Sequence, residues 1–356
     1  MSAPAQFVFA TCRDGSERLL KAEVARRHEG LLTPAFMRPQ FVTWKAMRPL
    51  PSGFELGCVF GRASGVSVGL FPSVPALVAK LVETAGDRPF HLHVFPRDCH
   101  EDGVNELQWA DMDVMRKKLL AELAEVGGTA PLDRKPNLGE LVFDVLVGEK
   151  RDEPLFLGNH QHSPSHHAMA GGLPRVILPY DAPSRAWLKM EQALAWAGLD
   201  GKQSLKGRVV LELGSAPGGA SYSLLQHGAE VYGVDTGVMD PDVLQFRDAE
   251  TGASFTHLRM AVGTLAPQHL PPEVDVVVSD INLAPGVVIP YLETICRRHR
   301  PALILLTMKM TDDRVESRVG EILGSLRRFV PTPLKATQLP ANRREVSVVA
   351  GGLGAV

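Results

Sequence analysis

Four ionisable residues in the second half of the chain lie at or near the ends of predicted elements. Asp280 and Lys309 end predicted strands, Glu345 opens the last strand, and Lys189 lies on the predicted helix Ser184–Ala197. Because the carboxyl ends of parallel strands share one rim of a sheet, we expect Asp280 and Lys309 to lie close together. One Lys or Asp at a strand end is more often a solvated rim residue. The joint pattern of two amines and two carboxylates favours a site for acid–base chemistry.

A glycine-rich turn precedes these strand ends and predicts a nucleotide site. The turn Gly214–Gly219 follows the apolar strand Val209–Leu213, and a second predicted strand stops at Asp235. Glycine is needed where the backbone passes close to a ligand in conformations that a Cβ forbids. An acid about 20 residues further on can bind the two hydroxyls of a ribose. The spacing is not the dinucleotide G-x-G-x-x-G, so by itself it indicates only an adenosine-type nucleotide.

The composition is that of a soluble globular protein. The 356 residues are 45% hydrophobic and 22% charged, and a chain of this length holds roughly two or three domains. The formal net charge of −2 gives no global attraction to nucleic acid, so any RNA contact must depend on a local patch. The four scattered cysteines predict reduced thiols. With no signal-peptide pattern and no long apolar run, we expect a cytoplasmic monomer without a membrane partner.

The periodicity of the sequence predicts four consecutive parts. Two small α+β units occupy residues 1–72 and 73–158, and a polar linker occupies 159–175. Strict alternation of strands and helices over 176–356 predicts an α/β domain with an open, mostly parallel sheet. Four histidines within Asn159–Gly172 suggest a metal site, but the segment holds no Cys or acid. We favour an inter-domain loop that faces the substrate, and we predict no metal.

The order Lys, glycine-rich loop, Asp, Lys, Glu resembles the site of the FtsJ-like ribose 2′-O-methyltransferases. The segments PYDAPSRAWLKMEQAL, ELGSAPGGASYSLL, VYGVDTGVMDP, LTMKMTDDR and KATQLPANRREVSVV are similar to the RlmM family of ribosomal RNA methyltransferases. The resemblance implies a Rossmann-like domain that binds S-adenosylmethionine, preceded by a ferredoxin-like domain over 1–72 and a THUMP-like domain over 73–158. It also implies 2′-O-methylation of a cytidine in 23S ribosomal RNA before ribosome assembly is complete.

The resemblance assigns a role to each candidate residue. The catalytic tetrad is Lys189, Asp280, Lys309 and Glu345. The cofactor-binding residues are Glu212, Gly214, Ser215, Ala216, Pro217, Gly218, Gly219, Asp235 and Asp280. From their places near the rim, Arg185 and Arg344 are expected to contact RNA phosphates. No metal is required, because the sulfonium of the cofactor is already an activated methyl donor.

The predicted mechanism makes Lys309 the base. A ribose hydroxyl must lose its proton as it attacks the methyl group, and a lysine accepts a proton only when neutral. A second lysine nearby disfavours the charged form, so Lys189 is expected to lower the pKa of Lys309 while the two carboxylates position both amines.

The sequence departs from the family pattern in its cofactor contacts. Glu212 stands where Asp is usual, and Leu258–Gly263 contains no acid to hold the adenine amino group, so backbone atoms are expected to hold it.

Two alternatives remain open on the sequence. The first keeps the cofactor but has a small molecule or a protein as acceptor. The second is an RNA-binding or ribosome-assembly factor on the same fold with weak or no catalysis. The intact tetrad favours the enzyme, because two lysines suit an unactivated hydroxyl better than an amine or an acid.

Overall fold

The computed structural model describes residues 5–100, 103–150 and 152–353. Its internal contacts divide the chain into two units between Arg175 and Val176. Each unit is built on a seven-stranded sheet. Among the described residues, no helix combines the length and the apolar character needed to cross a membrane.

The first unit contains three α-helices, one short 3-10 helix (Ala170–Gly172) and seven strands within the described part of the chain. In chain order they are β1 (Phe7–Thr11), α1 (Glu17–Arg27), β2 (Leu32–Arg38), β3 (Phe41–Ala46), β4 (Ser64–Phe71), α2 (Val74–Ala85), β5 (Phe90–Pro96), α3 (Glu106–Glu125), β6 (Leu141–Val147) and β7 (Leu155–Gln161). The strand order is β2-β3-β1-β4-β7-β6-β5, and β5 and β6 form its one parallel pair among these strands. The sheet therefore joins strands from both predicted parts, 1–72 and 73–158. The ferredoxin-like and THUMP-like assignments stay predictions.

Local sequence signals explain where the helices of the first unit begin. Ser73 caps α2 by accepting a hydrogen bond from the Ala76 amide at 3.4 Å. Asn105 and Gln108 form a capping box at the start of α3. Such caps satisfy amide groups that the first helical turn leaves without partners. The helices then cover a core that includes the fully buried Phe9.

The segment 159–175 differs from the predicted linker. Strand β7 continues through Gln161, and His160 pairs with Val142 of β6. Most side chains of the following segment are buried, His162, Ser163, His166, His167 and Leu173 among them. The polar composition concealed a strand, because Nδ1 of His160 hydrogen-bonds Asp144 Oδ2 inside the unit at 2.7 Å.

The second unit alternates strands and helices as predicted. In chain order its elements are α4 (Ala186–Trp196), β8 (Val209–Leu213), α5 (Gly219–Gln226), β9 (Glu230–Val234), α6 (Pro241–Gln245), β10 (Ser254–Leu258), β11 (Val276–Ser279), α7 (Pro285–His299), β12 (Leu303–Lys309), α8 (Asp313–Ser317), α9 (Val319–Leu326), β13 (Leu334–Thr337) and β14 (Glu345–Gly351). The segment after β12 forms two short helices, α8 and α9, which are separated at Arg318. The Ser317 hydroxyl bonds the Arg314 carbonyl at this break, a local bond that competes with helix continuation.

The sheet of the second unit is mostly parallel, which confirms the predicted Rossmann-like fold. Its order is β10-β9-β8-β11-β12-β14-β13. The first five strands are mutually parallel, whereas β14 runs antiparallel between β12 and β13. The antiparallel strand is therefore second from the edge. The order reverses at β8, and α/β sheets bind ligands outside the strand ends at such a switch point.

The candidate active site

The register between β12 and β14 brings two of the predicted site residues together. Lys309, the last residue of β12, lies directly opposite Glu345, the first residue of β14. Its ammonium donates a hydrogen bond to Oε1 of Glu345. In an antiparallel pair, residues opposite each other on the same face are in contact. The contact therefore follows from strand pairing and needs no loop.

Asp280 reaches the same place from the neighbouring strand. It follows β11, which pairs in parallel with β12, and its carboxylate accepts a hydrogen bond from Lys309 Nζ at 3.1 Å. Lys189 arrives from α4 and completes the group, with its Nζ 2.7 Å from Glu345 Oε1 and 3.5 Å from Asp280 Oδ2. The four side chains thus alternate in charge around a small cluster.

The cluster is sheltered but open to approach. The exposed fractions of the four side chains are 16% for Lys189, 14% for Asp280 and Lys309, and 10% for Glu345. Oε2 of Glu345 is buried and accepts no hydrogen bond from the described residues. A buried carboxylate oxygen without a donor is costly.

The electrostatics of the cluster contradict one predicted effect. Burial lowers the pKa of Lys309, but the carboxylates of Asp280 and Glu345 outweigh it, so the pKa of Lys309 lies above its ordinary value. Burial raises the pKa of Glu345, and hydrogen bonds from Lys189 and Lys309 bring it below its ordinary value. The pKa of Lys309 is therefore not below its ordinary value as expected, because the two carboxylates outweigh the effects that favour the neutral amine.

Two buried amides that sequence reasoning missed hold the cluster in place. Gln192 lies one helical turn after Lys189, and its Oε1 accepts a hydrogen bond from the Ala341 amide at 2.8 Å. Asn342 is completely buried, and its Oδ1 accepts hydrogen bonds from the Leu339 amide and the Ser347 hydroxyl at 2.8 and 2.9 Å. These bonds tie α4 to the turn that presents β14. In the sequence, the polar segment QLPANRRE just before β14 could have indicated that its amides are buried and hydrogen-bonded.

The glycine-rich turn has the geometry that the sequence predicts. Gly214 and Gly218 have φ of +84° and +122°, a region that other residues rarely adopt. A Cβ on Gly219 would lie 2.3 Å from the Ser184 hydroxyl, so α5 begins in close contact with the segment before α4. Ser215 is buried, and the Ala216–Pro217 peptide is cis. Lys189 and the turn are thereby built on contacting elements.

Asp235 fixes the turn from the end of β9. Its Oδ2 accepts a hydrogen bond from the Ala216 amide at 3.1 Å, and its Oδ1 accepts one from the Gly237 amide at 2.7 Å. The side chain is half-buried, so lone pairs on both oxygens remain for a ligand. Sequence reasoning expected a ribose contact and missed this bracing of the loop.

Glu212, which was expected to contact the cofactor, lies buried beneath the glycine-rich turn. It is 1% exposed, and its Oε2 accepts a hydrogen bond of 2.5 Å from the Ser221 hydroxyl of α5. Burial raises its pKa to about 8, with the nearby Asp280 and Asp235 adding to the effect against the Ser221 bond. Glu212 thus joins β8 to α5 beneath the turn, and its contact with the cofactor stays a prediction.

The two predicted phosphate contacts occupy different surroundings. Arg344 precedes Glu345, and its guanidinium, 61% exposed, bonds Glu316 at 2.9 Å. Arg185 is half-buried at the start of α4. Among the described residues, no group of three or more His, Cys, Asp or Glu is arranged to hold a metal ion.

Comparison with known proteins identifies the domain that carries this site. Residues 182–316 match the FtsJ-like methyltransferase family, a range that includes Lys189, the glycine-rich turn, Asp280 and Lys309. Among curated proteins, the chain is 27% identical over 195 residues to ribosomal RNA large subunit methyltransferase M of Halorhodospira halophila, covering 52% of this chain and 55% of that protein. It is 30% identical over 191 residues to the protein of the same name from Pseudomonas entomophila, covering 49% of each chain.

A third relative of that name, from Shewanella frigidimarina, is 37% identical over 119 residues, covering 33% of this chain and 31% of that protein. The aligned part of the chain spans about half or less of the length of these relatives. Residues 182–316 are thus similar to the FtsJ-like methyltransferase family, and ribosomal RNA large subunit methyltransferases M are among the relatives of the chain.

Proposed function

We propose that this protein transfers a methyl group from S-adenosylmethionine to a ribose 2′-hydroxyl in RNA. The supporting observation is the Lys189–Asp280–Lys309–Glu345 cluster at the carboxyl rim of an FtsJ-like domain. The names of the relatives suggest large-subunit ribosomal RNA as the substrate. From the family resemblance, the proposed target is a cytidine of 23S ribosomal RNA, modified before ribosome assembly is complete. The proposed setting is the cytoplasm, with the protein acting as a monomer.

The residues of the glycine-rich turn suit this cofactor. The turn between Leu213 and Gly219 brings bare backbone to the switch point of the sheet, where the methionine part of the cofactor fits. Asp235 offers carboxylate lone pairs to the ribose hydroxyls. When bound, S-adenosylmethionine supplies a methyl group on a positive sulfur, which is already activated for transfer.

The tetrad handles the proton of the acceptor hydroxyl. Lys309 is the proposed proton acceptor, and Glu345 holds its amine through Oε1. Only the neutral amine can take the proton, and the raised pKa of Lys309 makes this form a minority at neutral pH. Lys189 and Asp280 fix the position of Lys309 and Glu345, and placement alone can supply much of the rate.

Substituting the proposed base tests this function directly. Unmodified large-subunit ribosomal RNA, transcribed in vitro, is incubated with the protein and radiolabelled S-adenosylmethionine, and 2′-O-methyl positions are mapped. We expect labelling at one ribose by the wild type. Lys309→Ala should lose about 10²–10⁴-fold in kcat while the cofactor still binds, and Lys309→Arg should fail too because guanidinium stays charged. A kcat near the wild-type value in Lys309→Ala would show that Lys309 is not the base, and the rate would then come from the positioning of the substrate and the cofactor.

The same assay separates the alternatives. Tight RNA binding without methyl transfer supports an assembly factor, and transfer only to small molecules or proteins supports another acceptor. Residues 1–158 are proposed to supply RNA affinity. If residues 173–356 alone modified RNA with undiminished kcat/KM, this accessory role would be wrong.

A further inference from the structure

A surface groove of about 430 Å³ lies between the start of α7 and helices α8 and α9. This volume falls within the range of pockets that bind small ligands. Apolar side chains, including Ile289, Val315 and Ile322, line part of it. Two exposed arginines, Arg314 and Arg318, line it as well. The groove is not part of the tetrad or of the glycine-rich turn.

The groove opens on the same rim of the sheet as the tetrad. Its lining begins at Ala284, four residues after Asp280, and at Asp312, three residues after Lys309. Strands β11 and β12 are parallel neighbours, so the segments that leave them start side by side. A chain of three residues spans at most about 11 Å, and one of four about 14 Å. The groove therefore begins within a short distance of the atoms that would meet the acceptor ribose.

The lining combines apolar side chains with two arginines and two acids, Asp312 and Glu321, and each acid bonds another residue of the lining. Asp312 caps α8 by accepting hydrogen bonds from the Arg314 and Val315 amides at 2.8 and 3.0 Å. Glu321 pairs with Arg318 at 2.7 Å. RNA bases in single strands stack on apolar or planar side chains, while arginines bind phosphates. A nucleotide carries a base and a phosphate together, whereas an apolar ligand would form no ion pair with the arginines.

We propose that this groove binds the nucleotide adjacent to the acceptor ribose, with its base on the apolar side chains and its phosphate against Arg314 and Arg318. The inference rests on the proposed function and adds to it a binding site for single-stranded RNA beside the reacting sugar. The acceptor must then lie in an unpaired segment, because a base inside a duplex is stacked on its neighbours and cannot enter the groove.

The groove can be filled without disturbing the fold. Gly286 lines it on the first turn of α7, and a Cβ there would meet no atom within 4 Å. Gly320 of α9 has the same open surroundings but does not line the groove, so Gly320→Trp is the matched control for Gly286→Trp. With the in-vitro transcript as substrate, we expect Gly286→Trp to raise the KM for RNA about tenfold or more. Its Kd for S-adenosylmethionine should equal that of the wild type. Gly320→Trp should have the wild-type KM for RNA and the wild-type Kd for the cofactor.

Salt dependence gives a second, independent measurement. Each phosphate contact to single-stranded RNA contributes about 0.7 to the slope of log K against log salt. Arg314→Ala should lower this slope by about 0.7 in anisotropy titrations of the fluorescent transcript, and Arg247→Ala, an exposed arginine that does not line the groove, should not. A wild type that neither methylates nor binds RNA overturns the proposed function and this inference together. If the wild type methylates RNA but Gly286→Trp and Arg314→Ala match their controls, the groove inference alone is overturned.

Discussion

Lys189 Nζ lies 2.7 Å from Oε1 of Glu345, and this one oxygen also accepts a hydrogen bond from Lys309. Two amines from distant parts of the chain are thus held by a single carboxylate atom. The other oxygen of Glu345 is left without a donor among the described residues. Glu345 therefore sets both the position and the protonation of the proposed base, and substitutions at Lys189 and Glu345 should act on Lys309 in opposite directions.

Replacing Glu345 should lower the pH at which the enzyme becomes active. Glu345 raises the pKa of Lys309, so Glu345→Gln removes part of that effect and favours the neutral amine. We expect the midpoint of the pH–rate profile, measured at saturating cofactor and RNA, to move down, with a lower maximal rate because an amine is less well held. Lys189→Met should move the midpoint up. The substitution removes a positive charge that repels the Lys309 ammonium, and Lys309 is then the one amine of the tetrad that bonds Glu345.

The exposed Glu273→Gln is the control for this pair and should leave the midpoint unchanged. Equal midpoints in Glu345→Gln, Lys189→Met and the wild type would show that Lys309 does not control the rate through its own proton. The rim cluster would then act by geometry alone.

Strand ends could be predicted from the sequence because buried parallel strands are continuous apolar runs with polar residues after them. Strand β8 has the predicted limits, and Asp280 and Lys309 meet as expected. The direction of the Lys309 pKa could not be predicted in the same way. It depends on ångström-scale distances to two carboxylates, which are set by the pairing of β12 with β11 on one side and with β14 on the other.

The remaining differences arise where polar residues are satisfied inside the protein. His160 lies on a strand although its neighbours have a loop composition, because the Asp144 carboxylate accepts a hydrogen bond from a ring nitrogen of His160. Gln192 resembles an ordinary helix-surface residue in the sequence, yet it is 1% exposed and bonds a distant turn. Hydrophobic periodicity carries no information on such pairs, since each depends on a partner far along the chain.

Removing the Asp235 carboxylate should weaken cofactor binding. Asp235→Ala leaves the Ala216 and Gly237 amides without their acceptor and takes away the proposed ribose contact. We expect a loss of about 1–3 kcal/mol in binding free energy for S-adenosylmethionine by titration calorimetry. The nearby exposed Asp242→Ala is the control and should bind as the wild type does. Unchanged affinity in Asp235→Ala would remove the ribose assignment.

Limited proteolysis should cut after Tyr180 and not within 159–172. Proteases need chain that is exposed and free to extend, and Tyr180 is fully exposed whereas His162, His166 and His167 are at most 9% exposed. Brief digestion with chymotrypsin should give two fragments of nearly equal length, identified by mass spectrometry. Early cleavage inside 159–172 would mean that the histidine segment is not packed in solution as the structure shows.

Glu212 should make the stability of the protein depend on pH between its unfolded and folded pKa values. Its ordinary value is 4.5 and burial raises its pKa to about 8, so between these values the folded state holds a proton that the unfolded state has released. The free energy of unfolding therefore falls as the pH rises from about 4.5 to about 8 and changes no further above that. This contribution is fully present below pH 4.5, and its size is on the order of a few kcal/mol.

Calorimetric melting of Glu212→Gln isolates this contribution. The amide can still accept the Ser221 hydrogen bond but cannot ionise, so the variant should lose less Tm than the wild type between pH 5 and pH 8. Glu273→Gln, whose side chain is exposed, should follow the wild type at every pH. Parallel Tm curves for Glu212→Gln and the wild type would mean that Glu212 is ionised in the folded protein. In that case its carboxylate would carry a negative charge beneath the glycine-rich turn, and Glu212→Gln would be expected to weaken binding of the positively charged cofactor.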